Sequence, residues 1–200
     1  MASNTKDYIL EVALDMFSQY GYAGTKLSEL ATRVGITKAA LYKHYKSKED
    51  IWLSAIAMFD EYYKALTATP EHKPTVPDSF EAFKAQELNI LKIITSDSKI
   101  IQGRRLLTIE QFHDEKTASV ATERFITVNV NRLKPIFTAM QNNGLLIDTN
   151  VDMLTFTYTT PISSLIQMCD REPGKQAVAL KKADNFIDYF FSIFGRKPTI

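Results

Sequence analysis

Lys38, Tyr42, Lys43, His44, Lys46 and Lys48 fall within eleven residues of a 200-residue chain. Each carries an N–H or O–H donor, four are cations, and no acid interrupts them. Such a set suits oxyanions spaced along a polymer, phosphate above all. Widening the window to residues 26–48 adds Lys26 and Arg33 against one acid, Glu29, a local balance of +5 on a chain of net charge +1. This basic island is the electrostatic feature that stands out, since the chain as a whole is nearly neutral.

The elements that must hold these residues are helices. Ile9, Val12, Ala13, Met16, Phe17 and Tyr20 recur at three- and four-residue spacing, which predicts a first helix from about Asn4 to Tyr20. Gly21 suits its end, and Thr25 is expected to cap a second helix whose apolar positions are Leu27, Leu30, Ala31 and Val34. Gly35 then permits a tight turn. Thr37 caps a short third helix to about Tyr45, and Ser47 caps a fourth that runs to about Thr67, with Asp50 in its first turn. Two helices joined by so short a turn cross steeply, and the second projects from the body. Leu41 and Tyr45 would anchor it from beneath. Thr37, Lys38, Ala39, Tyr42, Lys43 and His44 would then face outward. The slim alanines Ala39 and Ala40 let its leading end approach base edges, and Lys38 is long enough to reach guanine O6 or N7. Thr25 and Lys48 are placed to grip the backbone on either side.

The order and spacing of Phe17, Gly21, Thr25, Leu30, Ala31, Gly35, Ile36, Thr37, Lys38, Leu41, Tyr42, His44, Tyr45 and Lys48 resemble the DNA-binding domain of the tetracycline-repressor (TetR) family of bacterial transcriptional regulators. The resemblance covers about residues 8–52. It implies phosphate contacts at Thr25, Tyr42, His44 and Lys48, and a groove-facing edge at Thr37, Lys38 and Ala39. The family often has glycine where Ala39 stands and phenylalanine where Tyr45 stands, so the Tyr45 hydroxyl needs an outlet of its own.

Beyond residue 52, helical spacing dominates and strand signals are weak. Pro70, Pro74 and Pro77 cannot all lie inside a helix and mark a loop. Further helices are expected over about 78–95, 98–112, 116–142 with a bend one turn before Pro135, 150–170, and 176–194. The fold class is therefore all-α with about nine helices. A helix-turn-helix domain is expected over residues 3–63, and a helical bundle for ligand binding and dimerisation over 64–200.

A single reading helix spans few base pairs, so a two-fold pair about 34–36 Å apart is needed for specificity. The last two helices carry the expected homodimer face, at Phe156, Thr160, Ala183, Phe186 and Phe190. Among the aromatics of the central helices, Phe59, Tyr62, Tyr63, Phe112 and Phe125, with His113 as a polar handle, are the expected lining of an apolar pocket. The family resemblance implies that a small effector, hydrophobic or aromatic by this lining, binds there and moves the reading helices apart, usually ending repression.

Other classes fare worse. No glycine-rich phosphate loop, zinc spacing or nucleophile elbow is present, so no enzyme activity and no cofactor are expected. Glu110 and His113 form one Glu-x-x-His unit, but a di-iron bundle needs two, with two further glutamates; no metal is expected. A helical adaptor without DNA binding would not need an acid-free basic island. One cysteine, Cys169, permits no internal disulfide. The amino-terminal residues lack a secretory pattern, and the longest uncharged run, residues 153–169, is too short and polar to span a bilayer. These features predict a cytoplasmic protein away from membranes, with operator DNA, a small effector and a second copy of itself as partners.

Overall fold

The computed structural model describes residues 5–68, 76–113 and 115–196. Among these lie ten α-helices: α1 (Thr5–Gly24), α2 (Leu27–Val34), α3 (Lys38–His44), α4 (Lys48–Ala68), α5 (Phe80–Ile94), α6 (Ser98–Glu110), α7 (Glu115–Thr122), α8 (Val128–Asn142), α9 (Val151–Arg171) and α10 (Gln176–Phe194). A π-helical turn, Glu123–Thr127, joins α7 to α8. The all-α expectation holds. The only β pairing among the described residues is one isolated bridge, Leu146 with Gly195. Pro70 and Pro74 of the expected loop lie outside the described residues.

The count exceeds nine because the expected 116–142 helix is split. The interruption is not at the turn before Pro135, which sits inside α8. It is the π turn, where each bond spans one extra residue and the helix that follows is re-phased. The expected 98–112 helix stops at Glu110, and Phe112 lies in the turn beyond it.

The chain forms two compact units. One comprises residues 1–69 and 98–121, the other 70–97 and 122–200. Thus α6 and all of α7 but Thr122, which follow the boundary expected after residue 63, belong to the same unit as α1–α4.

In the first unit α1 packs against α2, α4 and α6. That explains why its burial is wider than one stripe. Ile9, Ala13, Met16 and Phe17 are buried as expected, but so are Leu10 and Leu14. Tyr20, at 49% exposure, is not. Leu30, Leu41, Ile51, Trp52, Phe59, Ile100 and Leu107 complete this core. Each such side chain contributes about 1.5–3 kcal/mol on leaving water. The approach of α6 to α4 depends on Gly103: a Cβ there would lie within the ring of Phe59.

In the second unit Phe83 of α5, Leu133, Phe137 and Met140 of α8, Leu154 and Tyr158 of α9, and Ile187 and Phe190 of α10 form one apolar cluster. Most of its rings meet edge-on or tilted, as at Phe137–Tyr158 (5.4 Å) and Tyr158–Phe190 (5.2 Å), while Phe137 and Phe190 stack at 5.6 Å. Tilted and edge contacts suit the ring quadrupoles. A carboxylate enters this core. Glu87 takes two bonds from Arg132, at 2.6 and 2.8 Å, and the Tyr158 hydroxyl lies 3.5 Å from the same carboxylate. Burial, and then the Glu87 charge, push the Tyr158 phenol well above its ordinary value.

Candidate nucleic-acid interface

The turn between α2 and α3 is built by Gly35, whose φ of 79° is the left-handed conformation that closes a helix. The Ile36 amide donates back to the Ala31 carbonyl at 3.0 Å, so the chain reverses without orphaned amides. The Thr37 hydroxyl then accepts the Ala40 N–H at 3.1 Å and starts α3, as expected. At the next joint Ser47 accepts the Asp50 N–H at 3.0 Å, while the Asp50 carboxylate accepts the Lys46 N–H at 2.9 Å. This reciprocal cap fixes where α4 begins.

Between these caps α3 turns one face inward. Leu41 is fully buried and Tyr45 nearly so. The Tyr45 hydroxyl finds its outlet at the Lys6 carbonyl, 3.0 Å away. Thr37, Lys38, Ala39, Tyr42, Lys43 and His44 are all exposed on the other side. Two cations of the island are paired, Lys26 with Glu29 at 3.3 Å and Arg33 with Asp15 at 3.2 Å. Lys38, Lys43 and Lys46 make no ion pair among the described residues. The exposed face of α3 is therefore a short rod with unneutralised positive charge, set against a buried hinge.

Lys48 is half-buried at the start of α4. Its ammonium lies 4.6 Å from the centre of the Tyr22 ring and 3.5 Å from the Ala23 carbonyl. Burial lowers its pKa from the usual lysine value, and the nearby Glu110 charge acts in the opposite sense. Thr25 corrects an expectation. Lys26, not Thr25, occupies the cap position of α2, and Thr25 is buried. Its hydroxyl donates to the Gly21 carbonyl at 2.8 Å. The cause is Gly21: with φ of 68° and ψ of 178° it breaks α1 and turns a carbonyl toward Thr25.

The expected pocket residues fall in both units. Phe59 is buried against the Gly103 backbone and fills space in the first unit. Tyr62 and Tyr63 are half-buried on α4, the former with the Lys99 ammonium 5.3 Å from its ring centre. Phe112 is 87% exposed, a correction with a plain cause, since α6 ends two residues before it. His113 is exposed beside Glu110, at 3.6 Å. Phe125 is half-buried in the π turn of the other unit.

The expected dimer residues also divide. Phe156 and Thr160 are exposed on α9. Ala183 and Phe190 are buried, and Phe186 packs on Tyr158 and Phe190, so these three serve the protomer's own core. The large apolar residues of α10 that are exposed are Val178, Tyr189 and Ile193.

Sequence reading missed the polar joints along α1. Lys99 pairs with Glu11 at 2.9 Å, Asp15 accepts from both Gln102 and Arg33, and Glu110 accepts the Tyr22 N–H at 2.7 Å. Each links residues 18 to 88 positions apart, so no local pattern signals it.

Residues 9–55 match the family model described as bacterial regulatory proteins, tetR family. The match spans the whole turn, rod and cap geometry just described. Residues 9–55 thus form a DNA-binding domain of the tetR family, and the chain is a DNA-binding transcriptional regulator. This regulator is 26% identical over 203 residues to the "Probable acrEF/envCD operon repressor" of Escherichia coli (strain K12), covering 94% of its own length and 88% of that protein. It is 37% identical over 131 residues to the HTH-type transcriptional regulator RutR of Escherichia coli O157:H7, covering 60% and 61% of the two chains. Among solved structures it resembles a TetR-family regulator from Mesorhizobium loti with a TM-score of 0.67 at 17% identity, over 96% of both chains. It also resembles AibR, solved with isovaleryl coenzyme A and operator DNA, with a TM-score of 0.68 at 16% identity, over 92% and 97%. At those identities the likeness establishes the fold.

Among the described residues of the regulator no helix is long and apolar enough to cross a membrane.

Proposed function

We propose that this regulator represses transcription as a homodimer, setting α3 of each copy in a major groove of operator DNA and leaving the DNA when a small hydrophobic or aromatic effector binds. Thr37, Lys38 and Ala39 face the bases. Tyr42, Lys43, His44 and Lys48 take phosphates, and Thr25 frames the joint from within. The observation that carries this reading is the exposed face of α3, with unpaired Lys38 and Lys43 opposite buried Leu41 and Tyr45. An adaptor or an enzyme would have no use for it. The protein acts in the cytoplasm and has no catalytic role.

The paired surface is the exposed side of α9, where Met153, Phe156, Thr157, Thr160 and Ser164 recur at helical spacing, together with Tyr189 and Ile193 of α10. Repression is supported by the relative named as an operon repressor, and response to a small molecule by the similar structure solved with isovaleryl coenzyme A and operator DNA. Tyr62 and Tyr63 are the aromatic groups of α4 offered for that contact.

The test is a salt-dependent titration of the protein against DNA from upstream of its own coding region. Lys48→Ala weakens binding to every sequence and lowers the salt slope by about one per reading head. Lys38→Ala instead relaxes sequence choice at one base pair, by about 1–3 kcal/mol. A Lys48→Ala protein with unchanged affinity and slope would overturn the docking assignment.

A further inference from the structure

Glu110 is the last residue of α6, and its side chain is 12% exposed. Its Oε1 accepts the backbone N–H of Tyr22 at 2.7 Å. That amide follows the break at Gly21, and an amide at a helix break needs an acceptor from elsewhere. Gly21 also leaves room for the approach, because a Cβ on it would lie 2.7 Å from the same Oε1. The Tyr22 ring is held edge-on to Trp52 at 5.5 Å and stacks on Phe17 at 6.2 Å. On this ring sits the Lys48 ammonium, 4.6 Å from its centre. One continuous set of contacts thus runs from the end of α6, through the Tyr22 amide and ring, to the lysine that opens α4.

We propose that Glu110 is a positioning residue for DNA binding: from α6 it fixes the Tyr22 platform that holds Lys48 where the ammonium meets phosphate. The inference rests on the reading of Lys48 as a phosphate contact. It gives α6 a part in DNA binding without touching DNA. Of the Glu-x-x-His unit, the carboxylate serves a backbone joint, and His113 stands beside it in solvent.

The test uses the full chain and a labelled duplex of arbitrary sequence, followed by fluorescence anisotropy between roughly 50 and 200 mM salt, where phosphate contacts dominate. Lys48→Ala sets the reference, a slope lowered by about one per reading head. Glu110→Ala is expected to lose the same slope and about fivefold in affinity at the low-salt end, the scale of one exposed charge contact. The combined Lys48→Ala and Glu110→Ala protein loses no more slope than either alone. Glu110→Gln, which keeps an oxygen for the Tyr22 N–H but no charge, retains the wild-type slope. Emission from Trp52, the single tryptophan, shifts in Glu110→Ala and not in Glu110→Gln. Should Glu110→Ala fail to fold by circular dichroism, Tyr22→Leu removes the platform alone and must lose the same slope. A wild-type slope in Glu110→Ala or Tyr22→Leu overturns the proposal. So does a slope lost equally in Glu110→Gln, which would make the charge the active feature. An unchanged slope in Lys48→Ala overturns the phosphate reading itself, and the inference with it.

Discussion

The Tyr45 hydroxyl donates to the Lys6 carbonyl at 3.0 Å, tying the end of the reading helix to the first turn of α1. The ring beneath that hydroxyl is 2% exposed, and its phenol is pushed up to about 12, by burial first and by the charges of Asp7 and Asp50 next. A raised phenol pKa means that the folded protein keeps a proton the unfolded chain gives up near pH 10. Stability from this group is therefore complete below pH 10 and declines as pH rises toward 12. Tyr45→Phe removes that part of the alkaline decline and costs about 1 kcal/mol at neutral pH, read by urea unfolding. An identical alkaline profile in Tyr45→Phe would count against the assignment.

The Glu87–Arg132 pair in the second unit is doubly bonded, with the carboxylate buried and the guanidinium half-buried. Arg132→Ala leaves a carboxylate without its cation in an apolar cluster and is expected to cost about 3–5 kcal/mol. Replacing both residues by methionine removes the stranded charge and is expected to recover most of that loss. Chemical denaturation of the single and double variants decides the point; a double variant as unstable as Arg132→Ala would refute it.

Gly103 lets α6 lie against Phe59. Gly103→Ala should destabilise by about 1–3 kcal/mol despite alanine's better helix propensity, because the new methyl meets the ring. Adding Phe59→Leu should restore part of the loss. Thermal melts of the two proteins measure it, and a Gly103→Ala variant more stable than wild type would show that α6 can retreat freely.

Phe156→Lys places a charge on the exposed face of α9 and is expected to give a folded monomer by sedimentation velocity. With one reading head per particle, operator affinity falls by on the order of a hundredfold. Ala183→Lys, by contrast, enters the protomer core and should unfold the chain. If Phe156→Lys sediments as the wild type does, the dimer face lies elsewhere.

The elements of the reading unit were legible because their signals are local. Thr37 and Ser47 cap within three residues of themselves, and Gly35 marks its own turn. Periodicity correctly separated Leu41 and Tyr45 from Lys38, Tyr42 and Lys43. It could not say what covers an apolar stripe. In α10, Ala183 and Phe190 look like an adhesive face, yet α5 and α9 of the same chain already pack on that helix. Phe112 looked like pocket lining because the expected helix ran through it, and the end of α6 at Glu110 leaves it in solvent. Thr25 satisfies a cap pattern, but the break at Gly21 offers it a nearer carbonyl. Glu110 was readable only as half of a metal motif. Its true partner, the Tyr22 amide, lies 88 positions away.

The rod that meets DNA is seven residues long, far below the roughly 12–15 at which an isolated helix persists in water. Its shape is therefore a tertiary property, inherited through Leu41 and Tyr45 from the helices beneath. Loosening of the leading turn of α1 would erase that shape while the second unit stays folded. On warming, the protein should let go of its operator at a lower temperature than the one at which the whole chain melts, which makes recognition a built-in thermometer.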